Sequence, residues 1–109
     1  MPARRLCAKI PEIGEVMHME LRTLRYFITV AEELNITRAA ERLNMSQPPL
    51  SKQMNSLEEE LGVRLFIRGK QNLTLTDAGV LFYRRAKQIL DLSDMAKEEI
   101  SSLEGLSGT

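Results

Sequence analysis

The apolar positions of the chain change period in a fixed order. Leu21, Leu24, Ile28, Ala31 and Leu34 recur at helical spacing, with Phe27 and Val30 widening the stripe, which predicts a helix over residues 21–34 ended by Asn35. Thr37 is expected to cap a second, short helix, with Ile36 packing just before it and Ala39, Ala40 and Leu43 on its buried side. The paired alanines let a neighbouring helix approach closely. Asn44 and Met45 read as a tight turn. Ser46 is a good N-cap for the helix that follows, and Pro48 and Pro49 fall in its first turn, where backbone amides have no intrahelical partner. Leu50, Met54, Leu57 and Leu61 form the buried stripe of this third helix, which Gly62 is expected to close in a left-handed conformation.

Beyond Gly62 the period shortens. Residues 64–68 are β-prone, residues 69–72 supply a turn, and Leu73-Thr74-Leu75 alternates with period two, which predicts a hairpin with Arg68 and Lys70 at its tip. Thr76 and Asp77 then cap a long helix. Its apolar residues Phe82, Ala86, Ile89, Ala96, Ile100 and Leu103, with Ser93 as one polar position, alternate by four and three. The first turns, around Leu81, Phe82 and Tyr83, are expected to pack on the body, and the seam of Ile89, Leu92, Ala96, Ile100 and Leu103 to dimerise, with Ala86 and Ala96 letting the partner helix lie close. The predicted fold class is mainly α with a small β-hairpin: a winged helix-turn-helix over residues 19–76, then a linker helix over 77–104. Residues 1–18, with Pro2, Pro11 and Gly14, sustain no period and are expected to be a poorly ordered extension, with Met19 reading as a second start.

The third helix carries the candidate chemistry. Opposite its apolar stripe lie Pro48, Ser51, Lys52, Asn55 and Ser56, with Gln47 at the upper edge, and no acid occurs between Gln47 and Leu57. Amides, hydroxyls and an ammonium at the N-terminal end of a helix can read base edges in a major groove. The acids Glu58, Glu59 and Glu60 arrive together afterwards, at the end that would stay clear of phosphates. A bland amphipathic surface helix shows the same periodicity, so the neighbouring elements decide between the two.

Charge and composition narrow the choice. The 109 residues carry 15 Lys/Arg and 15 Asp/Glu, a formal net charge of zero, which is not the global signature of a nucleic-acid binder. The distribution is uneven: residues 37–90 hold nine Lys/Arg against five Asp/Glu, and residues 91–109 hold one against five. A basic body with an acidic tail fits local attraction to phosphates. A single cysteine, Cys7, and a single histidine, His18, leave no internal disulfide and no cysteine-rich zinc site. No apolar run approaches a membrane span, so a cytoplasmic protein is expected.

From Met19 to about Leu103 the chain resembles the N-terminal DNA-binding domain of LysR-type transcriptional regulators. The residues that carry the resemblance are Leu24-Arg25-Tyr26-Phe27, Ala39-Ala40-Glu41-Arg42-Leu43, Ser46 to Gln53, Leu57 to Gly62, Leu65 to Arg68 and Leu75 to Gly79. The double proline is similar to the branch that regulates aromatic-compound catabolism. The resemblance implies that Gln47, Pro48, Ser51 and Lys52 face the groove and that Arg68 is the basic wing residue; the full expected set is Ser46, Gln47, Pro48, Pro49, Ser51, Lys52 and Asn55 on the recognition helix, with Thr37, Arg38, Arg68 and Lys70 toward the DNA backbone. Lys52 stands where many relatives carry arginine, and its ammonium is a point charge rather than a planar fork. The resemblance implies that the long helix dimerises, and the apolar pattern assigns Phe82, Ala86, Ile89, Leu92, Ala96, Ile100 and Leu103 to that seam. Double-stranded operator DNA and a second copy of the chain are the expected partners, with a tetramer for full-length relatives and no membrane. In the family an effector domain begins where residues 105–109 lie. A small-molecule inducer is therefore expected for that domain, and no cofactor for this chain. The other readings are a winged-helix module that binds protein without specific DNA affinity, and an enzyme. For the enzyme the sequence offers no Ser/His/Asp set, metal cluster, paired pocket carboxylates or glycine-rich phosphate loop.

Overall fold

The computed structural model describes residues 19–108. The expectations for residues 1–18 lie outside them. The described chain runs α1 (Leu21–Glu33), α2 (Ile36–Arg42), α3 (Gln47–Leu61), β1 (Phe66–Arg68), β2 (Leu73–Leu75) and α4 (Asp77–Gly108).

The core is built from the predicted stripes. Leu24, Phe27 and Val30 of α1, Ala39 of α2, and Leu50 and Leu57 of α3 are buried. Phe27 is the joint. Its ring meets Phe66 of the hairpin at 5.4 Å and Phe82 of α4 edge-on at 5.0 Å, so one side chain ties three elements together. The stripes stop short at two ends: Leu21 is 39% exposed and Leu61 is 36% exposed, because the first and last turns of α1 and α3 overrun the core.

The helix ends explain two departures from expectation. α1 stops at Glu33, and Leu34 takes a left-handed conformation (φ 52) with its amide returning to the Val30 carbonyl at 2.7 Å. That conformation costs a non-glycine residue ~1–2 kcal/mol. In exchange the Leu34 carbonyl is aimed at the hairpin, where it accepts from the Leu73 amide at 2.8 Å. The cap of α2 is Asn35, not Thr37: Asn35 Oδ1 accepts from the Arg38 amide at 2.9 Å. Starting the helix earlier lets Ile36 pack against the core from within the first turn. At α3, Ser46 holds the cap position, but its hydroxyl makes no cap bond. The reason is chemical. A capping oxygen accepts from the second or third amide of a helix, and here those residues are Pro48 and Pro49, which have none. Gly62 closes α3 at φ 75, as the sequence predicts.

The hairpin is antiparallel, pairing Phe66 with Leu75, Ile67 with Thr74 and Arg68 with Leu73. It turns at Gly69, whose amide donates to the Asn72 carbonyl at 2.8 Å. Glu58 holds its base. One carboxylate oxygen accepts from the Leu65 and Phe66 amides at 2.7 and 3.1 Å, and the other stands 3.7 Å from Arg64 Nε. Thr76 joins the hairpin to α4. Its hydroxyl donates to the Arg64 carbonyl at 2.7 Å and accepts from the Gly79 amide at 2.9 Å. Gly79 lies so close to the hairpin that a Cβ there would overlap the Leu65 carbonyl oxygen.

α4 has 32 residues, a rod of ~48 Å. It continues past Gly105 to Gly108, so the expected end near residue 104 is not a helix end. Two residues assigned to a dimer seam instead serve the monomer: Ala86 is fully buried and Phe82 packs on Phe27. Leu81, expected against the body, is 49% exposed. The path of α4 over α1 sets this division, because it turns Ala86 inward and Leu81 outward. Beyond Leu90 the rod leaves the body, with Leu92, Met95, Ile100 and Leu103 at least half exposed.

Candidate nucleic-acid interface

The helix-turn-helix places α3 so that its apolar stripe is hidden and its N-terminal turns are open. The turn after α2 is set by Asn44 (φ 56), a residue that tolerates the left-handed region, and by amides of Asn44 and Met45 returning to Glu41 and Ala40 at 3.1 and 3.0 Å. With Leu50, Met54 and Leu57 buried, Gln47, Pro48, Pro49, Lys52 and Asn55 are exposed on the other side, and Ser46 is exposed at the cap. Ser51, expected to face solvent fully, is half-buried, because it sits beside Leu50 at the edge of the stripe.

The structure brings four of the predicted residues together in one cleft. Thr37 from α2, Gln47 from α3 and Arg68 and Lys70 from the hairpin line one shallow cleft, with Asn35 and Gln71 also in its lining. Asn35 Nδ2 donates to the Gln71 carbonyl at 3.4 Å, so the residue that caps α2 also steadies the hairpin turn. Arg68 Nη2 donates to Asn55 Oδ1 at 3.4 Å, which links the wing to the recognition face. Arg38 and Lys52 are exposed but stand outside the cleft lining. Since Asn35 takes the capping role, the Thr37 hydroxyl is left at the surface.

Among the described residues the ion pairs lie outside the cleft lining. Ion pairs join Glu20 to Arg22, Glu32 to Arg42 and Lys87, Glu33 to Arg42, and Glu58 to Arg64. Among the described residues none of these pairs engages Arg38, Lys52, Arg68 or Lys70. These exposed cations lie on α2, α3 and the wing, and Arg68 and Asn55 also line a second hollow with Glu58, Glu59 and Arg64, where α3 turns acidic. This surface can neutralise phosphates through its cations and read base edges through Gln47 and Asn55.

Sequence reasoning missed two residues that hold this surface, Asn35 and Glu58, and one at the helix junction away from it, Glu32. Asn35 has a side chain of capping type, but its position at the end of α1 and the nearby Thr37 hide that role in the sequence. Glu58 is the first of three consecutive acids and follows buried Leu57, which places it at the edge of the stripe and within reach of the hairpin. Glu32 leaves no local signal, since its partners Arg42, Tyr83 and Lys87 lie far along the chain. The Tyr83 hydroxyl bonded to it, followed by Arg42 and Lys87, holds the Glu32 carboxyl below its ordinary value of 4.5 against the opposing effect of burial. The same bond pushes the Tyr83 hydroxyl above its ordinary value of 10.0.

Comparison with known proteins places this arrangement. The family described as bacterial regulatory helix-turn-helix protein, lysR family, matches residues 21–80. The chain is 52% identical over 93 residues to the HTH-type transcriptional regulator BsdA of Bacillus subtilis, covering 84% of this chain and 32% of BsdA. It is 53% identical over 91 residues to the regulator BudR of Klebsiella aerogenes, covering 83% of this chain and 64% of BudR. The chain therefore spans about a third of BsdA and just under two thirds of BudR. Among solved structures it is similar to the CbnR_DBD–DNA complex, with TM-score 0.76 and 44% identity over 78% of this chain and 98% of that one. It is also similar to full-length CbnR, with TM-score 0.73 and 44% identity over 77% of this chain and 29% of that one.

Proposed function

The chain belongs to the LysR family of bacterial regulatory helix-turn-helix proteins, and on that premise we propose that it is the DNA-binding part of a cytoplasmic, non-catalytic transcriptional regulator that recognises double-stranded operator DNA as a homodimer. The observation that carries this reading is the cleft where Thr37, Gln47, Arg68 and Lys70 converge from three elements beside the acid-free N-terminal turns of α3. In this reading α3 enters the major groove, with Gln47, Pro48, Pro49, Lys52 and Asn55 toward the bases, while Ser46 and Ser51 lie at its rim. Thr37, Arg38, Arg68 and Lys70 neutralise or bond the flanking phosphates. Likeness to a DNA-bound relative at 44% identity supports this orientation.

Dimerisation follows from the second half of α4. Ile89, Leu92, Met95, Ile100 and Leu103 leave an apolar stripe 38–65% exposed, with exposed Ala96 among them. A stripe of this kind on a rod that has left its body marks an interface. A second copy is the natural occupant, since two recognition helices must reach major grooves ~34 Å apart or a multiple of that. No cofactor is needed by this part. A small-molecule inducer belongs with the remainder of a full-length regulator, as does assembly into a tetramer.

The test is a gel-shift titration of the chain on palindromic DNA, selected by it from a random pool, against scrambled DNA at two salt concentrations. The palindrome should bind at least ~10³-fold more tightly, and both affinities should fall steeply with salt. Equal, salt-insensitive affinities would instead mark a protein-binding module.

A further inference from the structure

One carboxylate away from the DNA-facing cleft holds three helices at once. Glu32, in the last turn of α1, accepts from Arg42 Nη1 through Oε1 at 3.1 Å and from the Tyr83 hydroxyl through Oε2 at 2.8 Å. Arg42 is the last residue of α2 and also donates to Glu33 Oε2 at 3.2 Å. Tyr83 lies on α4, and one turn further Lys87 Nζ stands 3.9 Å from Glu32 Oε2 and 5.6 Å from the centre of the Tyr83 ring. The two oxygens of one side chain therefore face two different elements: the helix-turn-helix through Arg42, and the linker rod through Tyr83 and Lys87.

Attachment alone does not require this cluster. Phe82 on Phe27 and the burial of Ala86 already hold α4 to the body. Side-chain packing favours particular helix crossing angles, but only to within about ±15–20°. Hydrogen bonds have narrow distance and angle preferences, so a bidentate acceptor sets an angle that packing leaves loose. The Glu32 side chain is one-third exposed, and pairs so exposed add little to stability. What the cluster fixes is direction.

The angle has leverage. From Lys87 to Leu103 the rod advances ~24 Å, so a tilt of about 10° at the junction moves its far end by ~4 Å, more than the ~3.4 Å rise of one base pair. If the far half of α4 is the dimer interface, the same tilt moves each recognition helix relative to its partner by at least that much.

We propose that Glu32 is a positioning residue that, by clamping Arg42 and Tyr83, fixes the angle between the helix-turn-helix and α4 and so determines which separation of DNA half-sites the dimer accepts. The proposal rests on the dimeric DNA-binding reading above. It predicts that Glu32 affects spacing without affecting the reading of a half-site, because none of the cluster lies in the cleft of Thr37, Gln47, Arg68 and Lys70.

The test compares the chain with its Glu32→Ala and Tyr83→Phe variants on a single half-site and on palindromes whose spacer changes in single base-pair steps. The parent should favour one spacer over its neighbours by about tenfold or more. Both variants should keep half-site affinity within about twofold while that preference falls below about threefold. Tyr83→Phe removes only a hydroxyl, so it keeps the test valid if Glu32→Ala folds poorly. An unchanged spacer preference in Tyr83→Phe, or equal losses on half-site and palindrome, overturns the clamp while leaving the dimeric reading intact. A parent that binds palindromes no better than a half-site overturns the dimeric reading and the clamp with it.

Discussion

At Ser46 two prolines remove the donors that a capping hydroxyl normally meets, so this cap position is held by backbone geometry alone. Ser46→Ala should therefore change stability by less than ~0.5 kcal/mol, where an ordinary cap loss costs ~1 kcal/mol, and a urea melt measures the difference. A loss near the ordinary value would mean that the hydroxyl caps α3 after all. Gln47 and Arg68 line the same cleft but should behave differently. Gln47→Ala should weaken the selected palindrome by ~1–3 kcal/mol and leave scrambled DNA nearly unaffected, since an amide reads base edges. Arg68→Ala should weaken both DNAs alike and reduce the slope of log affinity against log salt by ~0.9, one phosphate contact's share. Paired titrations over a salt series separate the two roles.

Among the elements, the hairpin depends on side chains outside itself. Glu58 satisfies the Leu65 and Phe66 amides, and leaving a buried amide unpaired costs ~1–3 kcal/mol, so Glu58→Ala should lower stability by about 2–4 kcal/mol in denaturant melts. The junction of α1, α2 and α4 should show in the pH profile. Glu32 is depressed in the folded state, so its contribution to stability is present above about pH 4.5 and lost as pH falls through the lower folded value. Tyr83 is raised, so its contribution is complete below about pH 10 and lost as pH rises through the higher folded value. Melts of Glu32→Gln across acid pH should show a shallower fall than the parent. These elements differ in how far they could be read from sequence. The stripes of α1 and α3, the closing Gly62 and the turn at Gly69 are local patterns, and all appear in the fold. The choice of Asn35 over Thr37 as cap was not readable, because both can cap and only the burial of Ile36 separates them. The bond from Tyr83 to Glu32 spans 51 residues and has no local signature at all.

For the whole molecule, the division of α4 matters most. The heptad pattern runs from Phe82 to Leu103 with Ser93 as its one polar position, so sequence alone assigns Phe82 and Ala86 to the same seam as Leu92. The core claims the first two and leaves the last 65% exposed. Leu92→Asp should therefore yield a monomer by sedimentation, with the melting of the winged-helix body unchanged and palindrome affinity lowered by about tenfold or more. A variant that stays dimeric would move the interface elsewhere. The location of the DNA surface itself is open to a single experiment, an amide chemical-shift map of the chain titrated with its selected palindrome. The largest shifts should fall on the non-proline amides of residues 46–55 and on residues 68–71 of the wing, with little change in the apolar hollow between α3 and α4 that exposed Leu61, Val63 and Leu81 line. Shifts centred on those three apolar residues, with the first turns of α3 unmoved, would contradict DNA recognition by α3.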